Sequence, residues 1–563
     1  MKTARWLQAA ALTTLATAPL SAVPKGELKA ELEQPKLACA DLKSALAAKL
    51  KGEGYTLDAS ELRGQPIVIS ASESTSRQEL ILKDLPPLCR VVGTLRPRPD
   101  AAIGFELWLP ERWNGRYLQL GNGGFAGTIH HGTLATYIKL GYAVAGTDGG
   151  HKAYDDDTRW AIGEPEKIKD FGFRAVHETS LFAQNVLPVY YQKPVRYRYF
   201  SGCSDGGREA LMEAQRYPDD FDGYLAGAPA LRWTHGFSAL LSVRQILASI
   251  KDEPIRLPQL KALSQEALRQ CDTKDGVRDG VIDPIAGCTV NLKALLCAAS
   301  GTSKDKEGCM SAAQLKAVAG IYSGALDEKS AVKNLSGFAY TLGFEDGPFQ
   351  WQTWFTGPTM WGTPDPLLKP LTDAFFGPLL YQKLTVNVEA LPLAEAVAKA
   401  DRDLAPWTNA TDPDLKGIRL SPKKKILQYH GWADAAVPAQ YSIDYYQAVH
   451  ALKTSDSTRP VDDYYRLFMV PGMGHCFSGS GPNVFNGSDN QGGPRDAEHD
   501  VQLALERWVE EGVAPERIIA SQFIKDDVSK GVLATRPLCP YPQRARWNGK
   551  GPTSDAAYFT CQR

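Results

Sequence analysis

Two rhythms of apolar and polar positions alternate along this chain. Short apolar runs bounded by Gly, Pro or Asn fall at Ala102 to Leu109, Tyr117 to Leu120 and Tyr142 to Thr147. Others fall at Arg196 to Ser201, Lys425 to Tyr429 and Arg466 to Val470, and all six predict strands. Good helix formers predict helices over Leu42 to Leu50, Glu178 to Val189, Gly207 to Arg216, Gln440 to Leu452 and Asp500 to Glu511. Strands alternating with helices imply a parallel sheet covered on both faces. The rhythm breaks after Gly227-Ala228-Pro229. From about 231 to 412 the chain is rich in Trp, Cys, Gly and Pro, and the alternation resumes at Lys425. The pattern predicts an α/β core interrupted by a large insertion, without internal repeats.

Length agrees, since 563 residues exceed what one hydrophobic core takes. Lys and Arg number 63 against 64 Asp and Glu, and no basic run tracks a phosphate backbone, so nucleic acid is not an expected partner. Lys2 and Arg5 precede a small, apolar stretch from Trp6 to Leu20 and a small-residue site at Ser21-Ala22. This predicts a signal peptide over 1–22 and a secreted or periplasmic protein. The stretch is too short to span a bilayer comfortably and no second one follows, so no membrane anchor is expected. Ten cysteines, an even number, favour disulfides in an exported chain. The absence of a CxxC pair argues against a zinc or dithiol redox centre. Cys271–Cys288, Cys297–Cys309 and Cys539–Cys561 are the sequence-local pairings, although spacing alone does not fix connectivity.

Candidate chemistry sits at the turns. Gly202-Cys203-Ser204-Asp205-Gly206 lies between a predicted strand and a predicted helix, the context of a nucleophile elbow. A serine hydroxyl needs a base, and that base needs a carboxylate to hold its tautomer. His475, in Pro471-Gly472-Met473-Gly474-His475-Cys476, and Asp434, in His430-Gly431-Trp432-Ala433-Asp434, each follow a predicted strand. A surface histidine and a turn aspartate are the plainer readings of each alone. The chain order Ser204, Asp434, His475 is the order of α/β-hydrolases. The oxyanion hole is expected from the amides of Asp205 and of Gly124, in the loop Gly121-Asn122-Gly123-Gly124-Phe125-Ala126-Gly127. Cys203 adjoins Ser204 and Cys476 adjoins His475, so a bond between them would staple the two loops together.

Together these segments resemble the tannase and feruloyl esterase family, which includes mono(2-hydroxyethyl) terephthalate hydrolases. The resemblance spans nearly all of the chain past the signal. It rests on Gly202-Cys203-Ser204-Asp205-Gly206-Gly207-Arg208-Glu209, Gly227-Ala228-Pro229, His430-Gly431-x-x-Asp434 and Pro471-Gly472-Met473-x-His475-Cys476. It implies an α/β-hydrolase core (23–230 and 413–563) with a lid domain (231–412) inserted after the half that bears the nucleophile. It implies bonded Cys203–Cys476 and a fifth pair, Cys39–Cys89. It also implies a structural Ca²⁺ in the lid and no organic cofactor. The segment Cys271 to Asp283 fits such an ion, with carboxylates from Asp272, Asp275 and Asp279 and carbonyls from Val277 and Val281. A solvated acidic loop is the alternative.

The expected activity is hydrolysis of esters of hydroxylated aromatic acids by a serine carboxylesterase, with a small aromatic ester as ligand and no obligate protein partner. Trp351, Trp354, Phe355 and Trp361 are candidates to stack on the acyl ring, although packing within the lid is the commoner fate of such residues. One rival is a terephthalate monoester hydrolase. Members of that kind use a lid arginine for the free carboxylate, and none occurs from Trp351 to Lys383. The other rival is a non-catalytic binding protein on a hydrolase scaffold, against which an intact triad argues. Sequence does not choose among galloyl, feruloyl and chlorogenate esters, and leaves oligomeric state open.

Overall fold

The computed structural model describes residues 32–50, 54–284, 287–297, 308–325, 328–329, 331–456 and 459–563. The expected signal peptide, 1–22, lies outside them.

The core is one sheet of nine strands: β1 (Tyr55–Leu62), β2 (Leu88–Leu95), β3 (Ile103–Pro110), β4 (Arg116–Leu120), β5 (Ala143–Thr147), β6 (Tyr197–Cys203), β7 (Gly223–Gly227), β8 (Lys425–Gly431) and β9 (Tyr465–Val470). Their spatial order is β1-β2-β3-β5-β4-β6-β7-β8-β9. From β5 to β9 every pairing is parallel, as expected. The expectation of an all-parallel sheet is corrected at the other edge, where β1, β2, β3 and β5 pair antiparallel. The connection from β2 to β3, residues 96–102, is too short for a crossover and leaves antiparallel pairing as the available arrangement.

Period-two alternation divides the parallel strands between two cores. Tyr117, Phe200, Ile426 and Leu467 face the helices Ala175–Tyr191, Asp205–Arg216 and Gln440–Ala451. Their chain neighbours Leu118, Tyr199, Leu427 and Phe468 face His131–Ile138 and Val501–Glu511 on the other side. With both faces covered, every residue of β4, β5, β7 and β8 is buried. Hence β5 and β7 read as uncharged runs without an apolar–polar alternation.

Between β7 and β8 the described chain adds no strand to the sheet. It forms helices, among them Trp233–Ala248, Leu257–Cys271, Ala312–Ser323 and Leu393–Asp403. They enclose a separate apolar core around Leu240, Leu263, Ile321, Trp351, Phe375 and Phe376. That core also takes in Phe125, Ala436 and Val437 from loops at the carboxyl ends of the strands, so the insertion sits over that end of the sheet. The carboxyl-terminal segment forms two hairpins, Ile518–Phe523 with Val532–Leu538 and Arg544–Trp547 with Phe559–Gln562. All ten cysteines are paired: Cys39–Cys89, Cys203–Cys476, Cys271–Cys288, Cys297–Cys309 and Cys539–Cys561. Among the described residues no helix is long and apolar enough to cross a membrane.

Candidate active site

Ser204 follows β6 and opens the helix Asp205–Arg216. Its backbone is held at φ 63°, ψ −118°, a conformation that costs about 1–3 kcal/mol. Only glycine permits the turn around it. A Cβ on Gly202 would lie 2.5 Å from the backbone of Gly206, and one on Gly207 would lie 2.2 Å from the carbonyl of Gly227. The strained turn lifts the hydroxyl toward the loops from β8 and β9, and the helix directs its N-terminal amides at the same point.

His475 Nε2 lies 2.9 Å from Ser204 Oγ, and His475 Nδ1 lies 2.7 Å from Asp434 Oδ2. Gly431 lets the two loops nest, since a Cβ there would lie 2.3 Å from the carbonyl of Met473. Asp434 is fully enclosed. Its Oδ1 accepts from the amides of Ala436 (2.7 Å) and Val437 (2.8 Å), and its Oδ2 also contacts His430 Nε2 at 3.1 Å. Burial alone would raise the pKa of this carboxyl. The adjoining His475 and His430 outweigh that and hold it well below the usual carboxylate range. His430 is itself buried, with Nδ1 2.7 Å from Ser442 Oγ. In the sequence His430 shows only as part of the motif His430-Gly431-x-x-Asp434, and its spacing of four before Asp434 is the available signal.

The glycine-rich loop after β4 is clamped onto the Ser204 helix. The Gly206 amide donates to the Asn122 carbonyl at 2.8 Å, and the Asn122 amide donates to Glu209 Oε2 at 2.8 Å. Asn122 Nδ2 donates to the carbonyls of Thr128 and Thr147. Glu209 is buried, and burial together with the charge of Asp205 pushes its carboxyl up to about 8. Asp205 is tied to the buried Arg208 at 2.5 Å. Gly124 has φ +53°, and a Cβ there would strike the carbonyl of Asp155 at 2.3 Å. Among the described residues, neither the Asp205 nor the Gly124 amide donates to a protein acceptor. Both remain available to an oxyanion. The role of Glu209 carries no local signal in the sequence, because it is a contact between residues 87 apart.

The Cys203–Cys476 bridge brings Cα atoms 273 residues apart in sequence to 6.0 Å. It fastens the turn of Ser204 to the loop of His475. Replacing both cysteines with Ser is expected to lower kcat per folded molecule by up to about a hundredfold through small misplacement of the pair. Turnover normalised to folded protein, by circular dichroism, checks this; an unchanged kcat would mean the bridge contributes stability alone.

Ser204 and His475 lie on a cleft of about 1030 Å³ beneath the insertion. Its lining includes Trp233, Phe237, Leu240, Phe349, Trp354, Trp361 and Phe477. Trp354 meets His475 edge to face, with ring centroids 5.7 Å apart. Of the four aromatic residues singled out from sequence, Trp354 and Trp361 line this cleft. Trp351 and Phe355 do not: both are buried in the insertion's core, where Trp351 donates to Thr341 Oγ1 and Phe355 packs on Phe338. A helical turn points only some of its positions at the cleft, which the sequence run does not reveal.

The acidic loop of the insertion lies elsewhere. Asp275 Oδ1 and Asp279 Oδ1 accept from the amides of Val277 and Val281, and Asp272 Oδ1 accepts from those of Asp279 and Gly280. Arg536 pairs with Asp279 at 2.5 Å. Burial, then repulsion from Asp279 and Asp283, pushes the Asp275 carboxyl up to about 6. The three carboxylates do not converge on one point. Among the described residues the ligand sets within 4.8 Å of one another are His177, Glu213 and Asp220, and Cys203, Cys476 and Asp489.

Comparison with known proteins gives one picture. The profile of a family described as tannase and feruloyl esterase matches residues 89–562. A protein of Xanthomonas campestris pv. campestris named an uncharacterized esterase is 37% identical over 514 residues, covering 88% of this chain and 87% of the relative. A protein of Aspergillus fumigatus named "Probable feruloyl esterase B-2" is 30% identical over 482 residues, covering 84% and 86%. The crystal structure of feruloyl esterase B from Aspergillus oryzae superposes with a TM-score of 0.78 at 26% identity, covering 93% of this chain and all of that one. Tannin acyl hydrolase from Aspergillus niger shares the fold, with a TM-score of 0.70 at 22% identity, covering 94% and 96%.

Proposed function

The chain belongs to the tannase and feruloyl esterase family and is an esterase of that type, and from that premise we propose that it hydrolyses esters of hydroxylated aromatic acids through a covalent acyl-serine. The observation that carries this reading is the relay from Ser204 to His475 to Asp434, at 2.9 and 2.7 Å, on an aromatic-lined cleft. His475 Nε2 takes the Ser204 proton as Oγ attacks the ester carbonyl. Asp434 keeps the remaining imidazole proton on Nδ1 and stabilises the imidazolium. The amides of Asp205 and Gly124 receive the oxyanion, and His475 then protonates the departing alcohol. Water repeats the sequence on the acyl-enzyme. The insertion acts as the lid, and Trp354 and Trp361 supply apolar walls for the aromatic acyl group.

A kcat/KM panel of methyl ferulate, methyl gallate and a simple alkyl ester tests the substrate class. The aromatic esters are expected to exceed the alkyl ester by at least about a hundredfold, as burial of an aromatic ring allows. Equal rates would refute the aromatic assignment while leaving an esterase.

For calcium, the oxygen-rich composition of the loop supports the reading, although its carboxylates lie apart in this structure and would have to close on the ion. Carboxylates of Asp272, Asp275 and Asp279 crowd one loop, and the amides of Val277 and Val281 are turned to carboxylates within it. Asp272, Asp275 and Asp279 with the carbonyls of Val277 and Val281 would hold the ion, which would neutralise the loop's charge. Val281 Cγ1 would lie 3.2 Å from a Cβ on Gly472, so the loop packs near the segment that leads to His475. Chelation is expected to lower the Tm by a few degrees and added Ca²⁺ to restore it, with kcat of the folded enzyme changed far less. An unchanged Tm in metal-free protein would contradict the site. Export through segment 1–22 completes the proposal, and five disulfides suit an oxidising compartment.

A further inference from the structure

The cleft carries a charge pattern that the ester chemistry does not use. Five aspartates line it, Asp155, Asp156, Asp365, Asp373 and Asp489, against two permanent cations, Arg77 and Lys369. Both cations are already held by lining carboxylates: Arg77 by Asp156 at 2.5 Å and Lys369 by Asp365 at 3.0 Å. Asp373 is held from outside the cleft by Arg244 at 2.6 Å.

Asp489 differs from these. Its carboxylate accepts from Ser488 Oγ at 3.0 Å, and no ion pair with a described residue engages it. It also lies beside the bridge that joins the loops of Ser204 and His475. A carboxylate oxygen of Asp489 is within 4.8 Å of the sulfurs of Cys203 and Cys476, whose chain neighbours are Ser204 and His475. Those sulfurs are bonded to each other, so the trio is not a metal site. The next residue fixes the loop: Asn490 Nδ2 donates to the Cys476 carbonyl at 3.2 Å, and its Oδ1 accepts from the Gly487 amide at 2.7 Å. An exposed, unneutralised negative charge is thus anchored on the cleft beside the Cys203–Cys476 bridge.

We propose that Asp489 is a specificity-determining residue that selects uncharged esters over esters carrying a free carboxylate. This inference rests on the aromatic-ester reading above. A substrate carboxylate in this cleft finds no unengaged cation among the described lining residues, and it meets the unpaired Asp489. Like-charge juxtaposition rejects a ligand without adding any contact to the favoured one. Because Asp489 is exposed, the penalty is moderate and screened by salt.

The test compares chlorogenate with its methyl ester, which share the caffeoyl group and the scissile bond and differ by one negative charge. Initial caffeate release is read at low and high ionic strength. Wild type is expected to favour the methyl ester by about tenfold in kcat/KM at low salt, the scale of one partly screened charge pair. That ratio should shrink toward unity at about 1 M salt. Asp489→Asn, which keeps side-chain shape, should bring the low-salt ratio down at least about threefold, and Asp489→Lys should invert it. A ratio that ignores both salt and these substitutions overturns the proposal, whichever substrate is faster. Failure of wild type to release caffeate, ferulate or gallate from any ester would instead overturn the aromatic reading beneath it.

Discussion

Ser204→Ala is expected to remove about six orders of magnitude from kcat, the scale on which losing a triad nucleophile acts. The change deletes one oxygen from a side chain at a turn whose shape is set by neighbouring glycines. Gly202, Gly206 and Gly207 remain, as do the bonds from the Ser204 amide to the Gly227 carbonyl and from the Arg208 amide to the Ser204 carbonyl. The fold is therefore expected to persist, with circular dichroism and Tm close to wild type. Turnover of methyl ferulate by the purified variant is the readout. Loss of less than about a hundredfold would place the nucleophile elsewhere, because the remaining oxyanion donors account for only residual catalysis.

Asp434→Asn is expected to cost about four orders of magnitude in kcat with much less change in KM, a scale taken from the same substitution in another serine hydrolase. The direction follows from the hydrogen bonds. The amides of Ala436 and Val437 both donate to Oδ1, so an asparagine settles with its carbonyl oxygen there. Its NH₂ then faces His475 Nδ1 and His430 Nε2, where Oδ2 stood. A donor opposite Nδ1 forces the His475 proton onto Nε2, and a protonated Nε2 cannot accept from Ser204. Steady-state kinetics on the folded variant check this, and a loss below about tenfold would mean that Asp434 does not orient the base.

What the sequence made legible was local. The turn at Ser204, the loops of Asp434 and His475 and the glycine-rich loop 121–127 each carry a compact signature, because tight turns and close approach demand particular residues. Of the parallel strands, β4, β5, β6, β8 and β9 were legible as short apolar runs, and β7 was not. The antiparallel edge was not: β1 alternates exposed and half-buried positions and mixes polar residues with apolar ones, as an edge strand does. Strand β7, Gly-Tyr-Leu-Ala-Gly, is short and begins and ends with glycine. Its glycines answer to Tyr199 and Tyr429 on the neighbouring strands, which leave no room for a Cβ. Contacts that join distant segments were also hidden, notably Glu209 with Asn122 and His430 with Ser442. Which insertion aromatics reach the cleft depends on how that segment packs, and its own core claims Trp351 and Phe355.

The central claim is a covalent acyl group on Ser204. The most direct measurement is intact-mass spectrometry of enzyme quenched soon after mixing with 4-nitrophenyl ferulate, followed by peptide mapping. The leaving group makes acylation fast, so the intermediate should accumulate as a burst. The account predicts one added feruloyl group, on the peptide containing Ser204, and none on Ser204→Ala. Steady turnover with an adduct on another residue, or a burst that survives in Ser204→Ala, would contradict it.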